Sequence, residues 1–417
     1  MGRGLFAKTN FKAGDIVLVE KPSLIGPHFA NQFIFCSYCL AVAWTGIPCE
    51  TCHDNIFCSL KCKKMAWQEY HHIDCSITPY LILCDPIIPV LIHTNLKFII
   101  SLKKDYKTID ELRSKLKISK NDQVEIVNDR SEPKIDLFNK LMGLCCDVPV
   151  QQNLLLIVFT VKALICMAKY TSFFSEKDMQ YNDFIKNEDF LFIGSFLLRL
   201  VKIGSVNYHT ISDTFEGNSF KHHDPSDERF RGICMGLIST MTNHSCTPSI
   251  RRCFTDEMKY VFYAMEPIAS GTQLLDSYNK YFFESPLIHR RKKNSNFVCH
   301  CMACKKDWPL FILPELNDVF LDDLMKPKKY SKELFSIMEI TPLKEKIFND
   351  IYSIDKKLIQ TVTGMMNEIV DVLPQPSIAR CMLFQMLIKI FDKFYGFIPP
   401  FENLCSSKKN FHRTGVL

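Results

Sequence analysis

Residues 150–170 and 188–203 are dense in apolar side chains at helical spacing, which predicts two long helices. Shorter runs lie further along. Val261-Phe262-Tyr263-Ala264 and Gln273-Leu274-Leu275-Asp276-Ser277-Tyr278 partly alternate and are bounded by Pro267 and Gly271, so they predict strands. Leu343, Ile347, Ile351, Ile354, Leu358, Val362, Met365 and Ile369 then recur at three and four, one apolar face of a helix. Thr341-Pro342 would cap and open that helix, and Pro374 and Pro376 would end it. Ser377 to Tyr395 predicts another, stopped by Gly396. Pro86, Pro89, Pro133 and Pro149 punctuate the earlier part of the chain, and the charge-rich stretch 101–136 is expected at the surface. The pattern is α+β: a core of short strands with a helical insert and a helical C-terminal region.

Composition narrows the classes. Hydrophobic residues make up 47% of 417 and charged residues 23%, which excludes a wholly disordered chain and allows two to three domains. The most apolar stretch, Leu154 to Val161, is followed directly by Lys162 and falls short of the roughly 20 residues a membrane span needs, so no membrane partner is expected. No apolar signal core occupies the first ten residues, so cysteines are expected as thiols or metal ligands rather than disulfides. The net charge of +6 is too small to indicate nucleic acid. His289-Arg290-Arg291-Lys292-Lys293 is the strongest basic stretch, suited to a substrate-steering surface or a nuclear address. Lys61, Lys63 and Lys64 read as a solvated face.

The chain has 19 cysteines, and seven lie between positions 36 and 75. The order is Cys36-x2-Cys39, Cys49-x2-Cys52, Cys58-x3-Cys62 and His71-x3-Cys75. Two-residue and three-residue gaps let one turn present two ligands to one ion, so eight ligands imply two zinc ions. His72 is an alternative to His71, which has the better gap to Cys75. Such a short segment has little apolar material, and the metal must supply much of its folding energy. A second cluster, Cys299-x-Cys301-x2-Cys304, offers three thiolates where a structural zinc takes four. The competing reading there is a redox pair. His222-His223-Asp224 carries no metal reading, because adjacent side chains diverge.

These motifs together resemble the SET and MYND domain (SMYD) family of lysine methyltransferases, with an arthropod branch as the nearest. The segment 36–75 resembles a MYND finger. In that family the ligands interleave, which implies Cys36, Cys39, Cys58 and Cys62 on one zinc, and Cys49, Cys52, His71 and Cys75 on the other. Gly2-Arg3-Gly4-Leu5-Phe6-Ala7 resembles a SET opening. Asn243-His244-Ser245-Cys246-Thr247-Pro248, the run 271–278 and the C-x-C-x2-C motif resemble the later SET and post-SET elements. The resemblance implies a SET-type fold split by the finger: 1–35 its first part, 36–75 the finger, 76–285 the SET domain with a helical insert, 286–305 the post-SET motif and 306–417 a C-terminal helical domain. It also implies that Cys246 completes the set with Cys299, Cys301 and Cys304, giving three zinc ions. Cys84, Cys145, Cys146, Cys166, Cys234, Cys253, Cys381 and Cys405 are then expected as small buried hydrophobes.

By the same resemblance, S-adenosylmethionine is the methyl donor and a protein lysine the acceptor. Tyr278 is the catalytic tyrosine. Asn243, His244, Asn207, Phe297, Gly2, Arg3 and Gly4 contact the cofactor. The sequence differs from the family pattern at Ser295, where a second channel tyrosine is usual. It differs also at Thr272-Gln273 in place of two glutamates, at Ser249 for asparagine and at His209 for an aromatic. Two functions follow: a methyltransferase, or a scaffold of little activity whose finger docks proline-containing peptides. A monomer in cytoplasm and nucleus, without direct DNA reading, is the accompanying expectation.

Overall fold

The structure, a computed structural model, describes residues 3–82, 88–115, 134–174, 179–213, 229–255, 257–293, 297–310, 331–350 and 353–395. Gly2, Cys84, His222, His223, Asp224, Ser295, Gly396 and Cys405 lie outside the described residues.

Strands β1 (Ile16–Glu20) and β2 (Leu24–Pro27) precede the cysteine-rich segment, which holds the hairpin β3 (Ile47–Pro48) and β4 (Ile56–Phe57). After the helical insert come β5 (His209–Asp213), β6 (Arg229–Met235), β7 (Asn243–His244), β8 (Ile250–Phe254), β9 (Tyr260–Ala264) and β10 (Leu275–Asp276). Pairing crosses the interval. β1 runs antiparallel to β9, with Glu20 opposite Tyr260, and β2 antiparallel to β6, with Leu24 opposite Met235. β8 and β5 complete the two three-stranded sheets. β9 is buried at every position, so its polar backbone needs a strand on each edge. This burial also departs from the alternation expected for that run. Of the second predicted strand, Leu275 and Asp276 pair parallel to Asn243 and His244, and Gln273 forms an isolated antiparallel bridge with Phe6.

The helices include α1 (Leu60–Ala66), α2 (Ile88–Lys103), α3 (Val150–Tyr170), α4 (Glu188–Asn207), α5 (Leu287–Lys293), α6 (Ser331–Asn349), α7 (Lys356–Val372) and α8 (Ile378–Tyr395). α3 and α4 are the two predicted long helices. Among the described residues, α3 is long and apolar enough to cross a membrane by length and composition, which corrects the expectation of no such segment. The helix outruns the apolar run because Ala163-Leu164-Ile165-Cys166-Met167-Ala168 continues beyond Lys162. Leu156, Thr160, Ala163, Leu164 and Met167 form its buried face, and α3 packs on α4.

The C-terminal periodicity also needs correction. The helix expected from Thr341 onward is two. α6 begins at Ser331, so Pro342 lies inside it rather than in its first turn. A break follows Asn349, and Asp355 caps α7 by accepting from Leu358 N–H at 2.7 Å. Ile347 and Ile354 still enter one core with Leu358 and Val362. The repeat therefore records which side chains are buried, and it runs on through a backbone that leaves the helix.

This helical region grips the sheets. Ala13 N–H donates to Asn367 Oδ1 at 2.8 Å, and Arg251 pairs with Asp392 at 3.0 Å. The rings of Tyr263 and Phe391 lie 4.1 Å apart, and Arg380 pairs with Glu266. Gly14 has φ +92°, and a Cβ there would stand 2.8 Å from Thr363 Cγ2, so only glycine suits that turn.

Candidate functional site

Three sets of ligand atoms converge, each within 4.8 Å: Cys36, Cys39, Cys58 and Cys62; Cys49, Cys52, His71 and Cys75; Cys246, Cys299, Cys301 and Cys304. Four sulfurs about 2.3 Å from one ion stand about 3.8 Å from each other, whereas a disulfide is about 2.05 Å. Cys39–Cys58 and Cys58–Cys62 are 3.6 Å apart, and Cys39–Cys62 is 3.8 Å. Cys49–Cys75 is 3.7 Å and Cys246–Cys304 is 3.5 Å. The donors are thus spaced to share ions, and soft thiolates in tetrahedral sets suit zinc. The first two sets interleave along the chain. His71 is the histidine that joins the second set, and exposed His72 instead faces Trp67 O at 2.8 Å.

Local folding explains the second set. The helix begun by α1 widens to a π turn over Trp67–His71 before tightening again. His71 Nδ1 meets Asp74 Oδ1 at 2.6 Å, and Asp74 Oδ2 meets His93 Nε2 on α2 at 2.8 Å. Asp74 is 0% exposed. Burial pushes its carboxyl up, and hydrogen bonds from His71 and His93 more than reverse that, leaving it well below the usual carboxylate range. A carboxylate behind a ligating histidine fixes the ring and strengthens the ligand. Asp74→Ala is expected to weaken zinc at this set roughly 10–100-fold. Competition with a chelator reads this directly, and an unchanged affinity would refute the linkage.

The third set borders a cavity of about 300 Å³ lined by Asn243, His244, Tyr278, Phe297, Val298, Cys299 and His300. The short parallel pairing of β7 with β10 brings Asn243 and His244 beside the chain that enters Tyr278. Glu20, 1% exposed at the end of β1, holds the turn before β7 by accepting from Ile238 and Ser239 N–H at 2.8 and 2.7 Å. The Tyr278 N–H donates to His244 Nδ1 at 3.0 Å. The imidazole proton therefore lies on Nε2, which faces Cys246 Sγ at 3.5 Å. Burial holds the His244 pKa below its ordinary value, in keeping with a neutral ring. One residue thus couples cavity to ligand set. Tyr278 OH donates to Thr242 O at 2.6 Å. Burial, then the nearby Asp276 carboxylate, push that phenol up to about 12, so it stays neutral at physiological pH. Phe297 closes the cluster, 5.6 Å from His244 and 6.1 Å from Tyr278 between ring centres.

The predicted cofactor residues divide. Asn243, His244, Tyr278 and Phe297 share the cavity. Gly4 abuts it: a Cβ would stand 2.2 Å from Gln273 Nε2 and 2.9 Å from Asn243 Nδ2. Arg3 O accepts from Asn243 Nδ2 at 2.9 Å, while Arg3 Nη2 donates to Gly143 O at 2.8 Å. Asn207, at the end of α4, is not a lining residue; its Nδ2 donates to Cys145 O at 2.8 Å and Ile203 O at 2.7 Å. It is joined to the cavity through the 143–145 stretch and Arg3. Val298, His300, Thr242, Asp74 and His93 escaped the sequence reading. Asp74 alone had a clue there, an acid three residues after a ligating histidine.

Other departures from the family pattern have structural homes. Ser249 Oγ accepts from Leu275 N–H at 3.1 Å, and His209 Nδ1 meets Tyr260 OH at 3.0 Å. The basic stretch needs correction. His289, Arg291 and Lys292 are exposed, but Arg290 is 1% exposed. Cys166, Cys234, Cys253 and Cys381 are buried as expected, whereas Cys145 is exposed and Cys146 half-buried.

The SET domain family model matches residues 2–279, more than half of the chain.

The chain belongs to the SET domain family.

Relatives of this SET-domain protein include "Histone-lysine N-methyltransferase ASHR1" of Arabidopsis thaliana, 21% identical over 73% of this chain and 52% of that protein. Another is "Protein-lysine N-methyltransferase SMYD4" of Pongo abelii, 22% identical over 66% of this chain and 39% of that protein. "SET domain-containing protein 3" of Caenorhabditis elegans is 31% identical over 23% of this chain and 19% of that protein. The chain spans about half the length, or less, of these relatives. They assign it to no arthropod branch.

Proposed function

We propose that this SET-domain protein is an S-adenosylmethionine-dependent protein-lysine N-methyltransferase. The observation that carries the reading is the convergence of Asn243, His244, Tyr278 and Phe297 on one cavity that Cys299 of the third ligand set also lines. The names of the relatives support it. The strands before the finger, paired with strands after the insert, are read as one split SET domain with the boundaries given above.

The residues suit the donor. Gly4 leaves room for backbone to approach Asn243, and Phe297 offers an aromatic face. S-adenosylmethionine supplies a methyl group on a cationic sulfonium. The acceptor lysine, with a free pKa of about 10.4, must be neutral to attack, and an apolar surround lowers that pKa. Because Tyr278 donates its proton to Thr242 O, its oxygen keeps lone pairs to accept from the incoming amine and align it. Alignment of this kind can contribute roughly 7–11 kcal/mol.

Radiolabelled methyl transfer to a panel of proteins tests the reading. Label on lysine in at least one protein is expected. Gly4→Ala should weaken cofactor binding about tenfold, equal to about 1.4 kcal/mol, by displacing the Asn243 amide. No transfer to any protein, with no cofactor binding, would overturn the assignment.

A second activity is proposed for the finger, where Trp44, Leu60 and Trp67 are each exposed. Such a surface suits proline-containing peptides. Capture lost on Cys49→Ser but kept on Tyr278→Phe would separate docking from catalysis.

A further inference from the structure

Four thiolates around one Zn²⁺ leave two negative charges in excess. Cys246, Cys299 and Cys304 are buried, and charge buried without a counter-ion is costly. Arg290 on α5 lies against this set. Its Nη2 is 3.9 Å from Cys304 Sγ. Its Nη1 donates to Phe282 O at 3.1 Å and Ser285 O at 2.5 Å. Nearby arginines behave otherwise: Arg251 pairs with Asp392, Arg252 with Asp276 and Arg380 with Glu266. Among the described residues, Arg290 meets no carboxylate in an ion pair. The group it faces is the thiolate set.

We infer that Arg290 is the counter-charge of the zinc held by Cys246, Cys299, Cys301 and Cys304, and a positioning residue for the cavity. Its cation offsets the excess thiolate charge. Its fork ties the carbonyls of the 282–285 stretch, which follows Tyr278, to the ligands that flank Phe297 and Val298. Metal retention and cavity shape therefore meet at one guanidinium. The inference rests on zinc occupying the third set.

Release of zinc from the purified, zinc-loaded chain to a chromogenic chelator provides the test. Wild-type protein should hold three ions; two would refute zinc at the third set, whatever Arg290 does. Arg290→Gln keeps N–H donors and loses the charge, while Arg290→Lys keeps the charge and loses the fork. The glutamine variant should release one ion about tenfold faster than wild type, and the lysine variant should stay near wild type. Wild-type release by Arg290→Gln, or release by Arg290→Lys as fast as by Arg290→Gln, would overturn the inference. If the glutamine variant does not fold, Arg290→Lys decides alone: near-wild-type release supports the counter-charge, and tenfold faster release refutes it.

Discussion

Cys246→Ser is expected to lower the zinc content from three ions to two and to abolish methyl transfer. Serine presents a hard, protonated oxygen where the set needs a soft thiolate. The change exceeds an outer-sphere alteration, which already costs roughly 10–100-fold in metal affinity. Its reach follows from position. Cys246 is the one ligand of its set from the β7 side of the cavity, and it faces both Cys304 Sγ and His244 Nε2 at 3.5 Å. Without the ion, Phe297, Val298 and His300 lose their metal tie to the β7 side and keep only weaker contacts such as the Phe297–His244 ring packing at 5.6 Å. Elemental analysis checks the metal count, and calorimetry checks the cofactor. The finger should keep its two ions, because its ligand sets share no residue with this one. Retention of three ions by the variant would refute the ligand assignment.

Tyr278→Phe is expected to lower the rate of transfer by about 10²–10³ with little effect on cofactor affinity, the scale seen when one catalytic hydrogen bond is removed. The ring remains, so packing against His244 and Phe297 persists, with the Tyr278 and His244 ring centres now 5.2 Å apart. What goes is the oxygen that receives the amine, together with the bond to Thr242 O at 2.6 Å. Losing that second bond costs about 1 kcal/mol of stability and leaves most of the fold intact. Steady-state kinetics on an identified substrate separate the effects. An equal loss of cofactor binding would make Tyr278 a packing residue. The neutral phenol also implies that the rate rises with pH as the substrate lysine deprotonates, with no break from Tyr278 below about pH 12.

The metal ligands were legible because their chemistry is local. Paired cysteines two or three residues apart can be read without knowing the fold, whereas the interleaving of the first two sets and the place of Cys246 in the third were implied only by the family resemblance; all twelve meet in three sets. The long helices α3 and α4 were legible from dense apolar spacing. The break between α6 and α7 was hidden, because Ile347 and Ile354 keep the repeat while the backbone departs from it. Arg290 was misread for a related reason: five basic residues in a row suggest solvent, yet α5 turns one of them inward. Asn207 lies outside the cavity lining. Its Nδ2 donates to Cys145 O and Ile203 O, and it reaches the cavity through the 143–145 stretch and Arg3. Asp74 and His93 depend on α2 docking against the finger, a long-range contact that residue spacing does not encode.

Titration of S-adenosylmethionine into the zinc-replete chain by calorimetry tests the central claim most directly. The account predicts one saturable site per chain, weakened about tenfold by Gly4→Ala and lost in Cys246→Ser. A flat isotherm from wild-type protein holding three zinc ions, or binding unaffected by both substitutions, would contradict it.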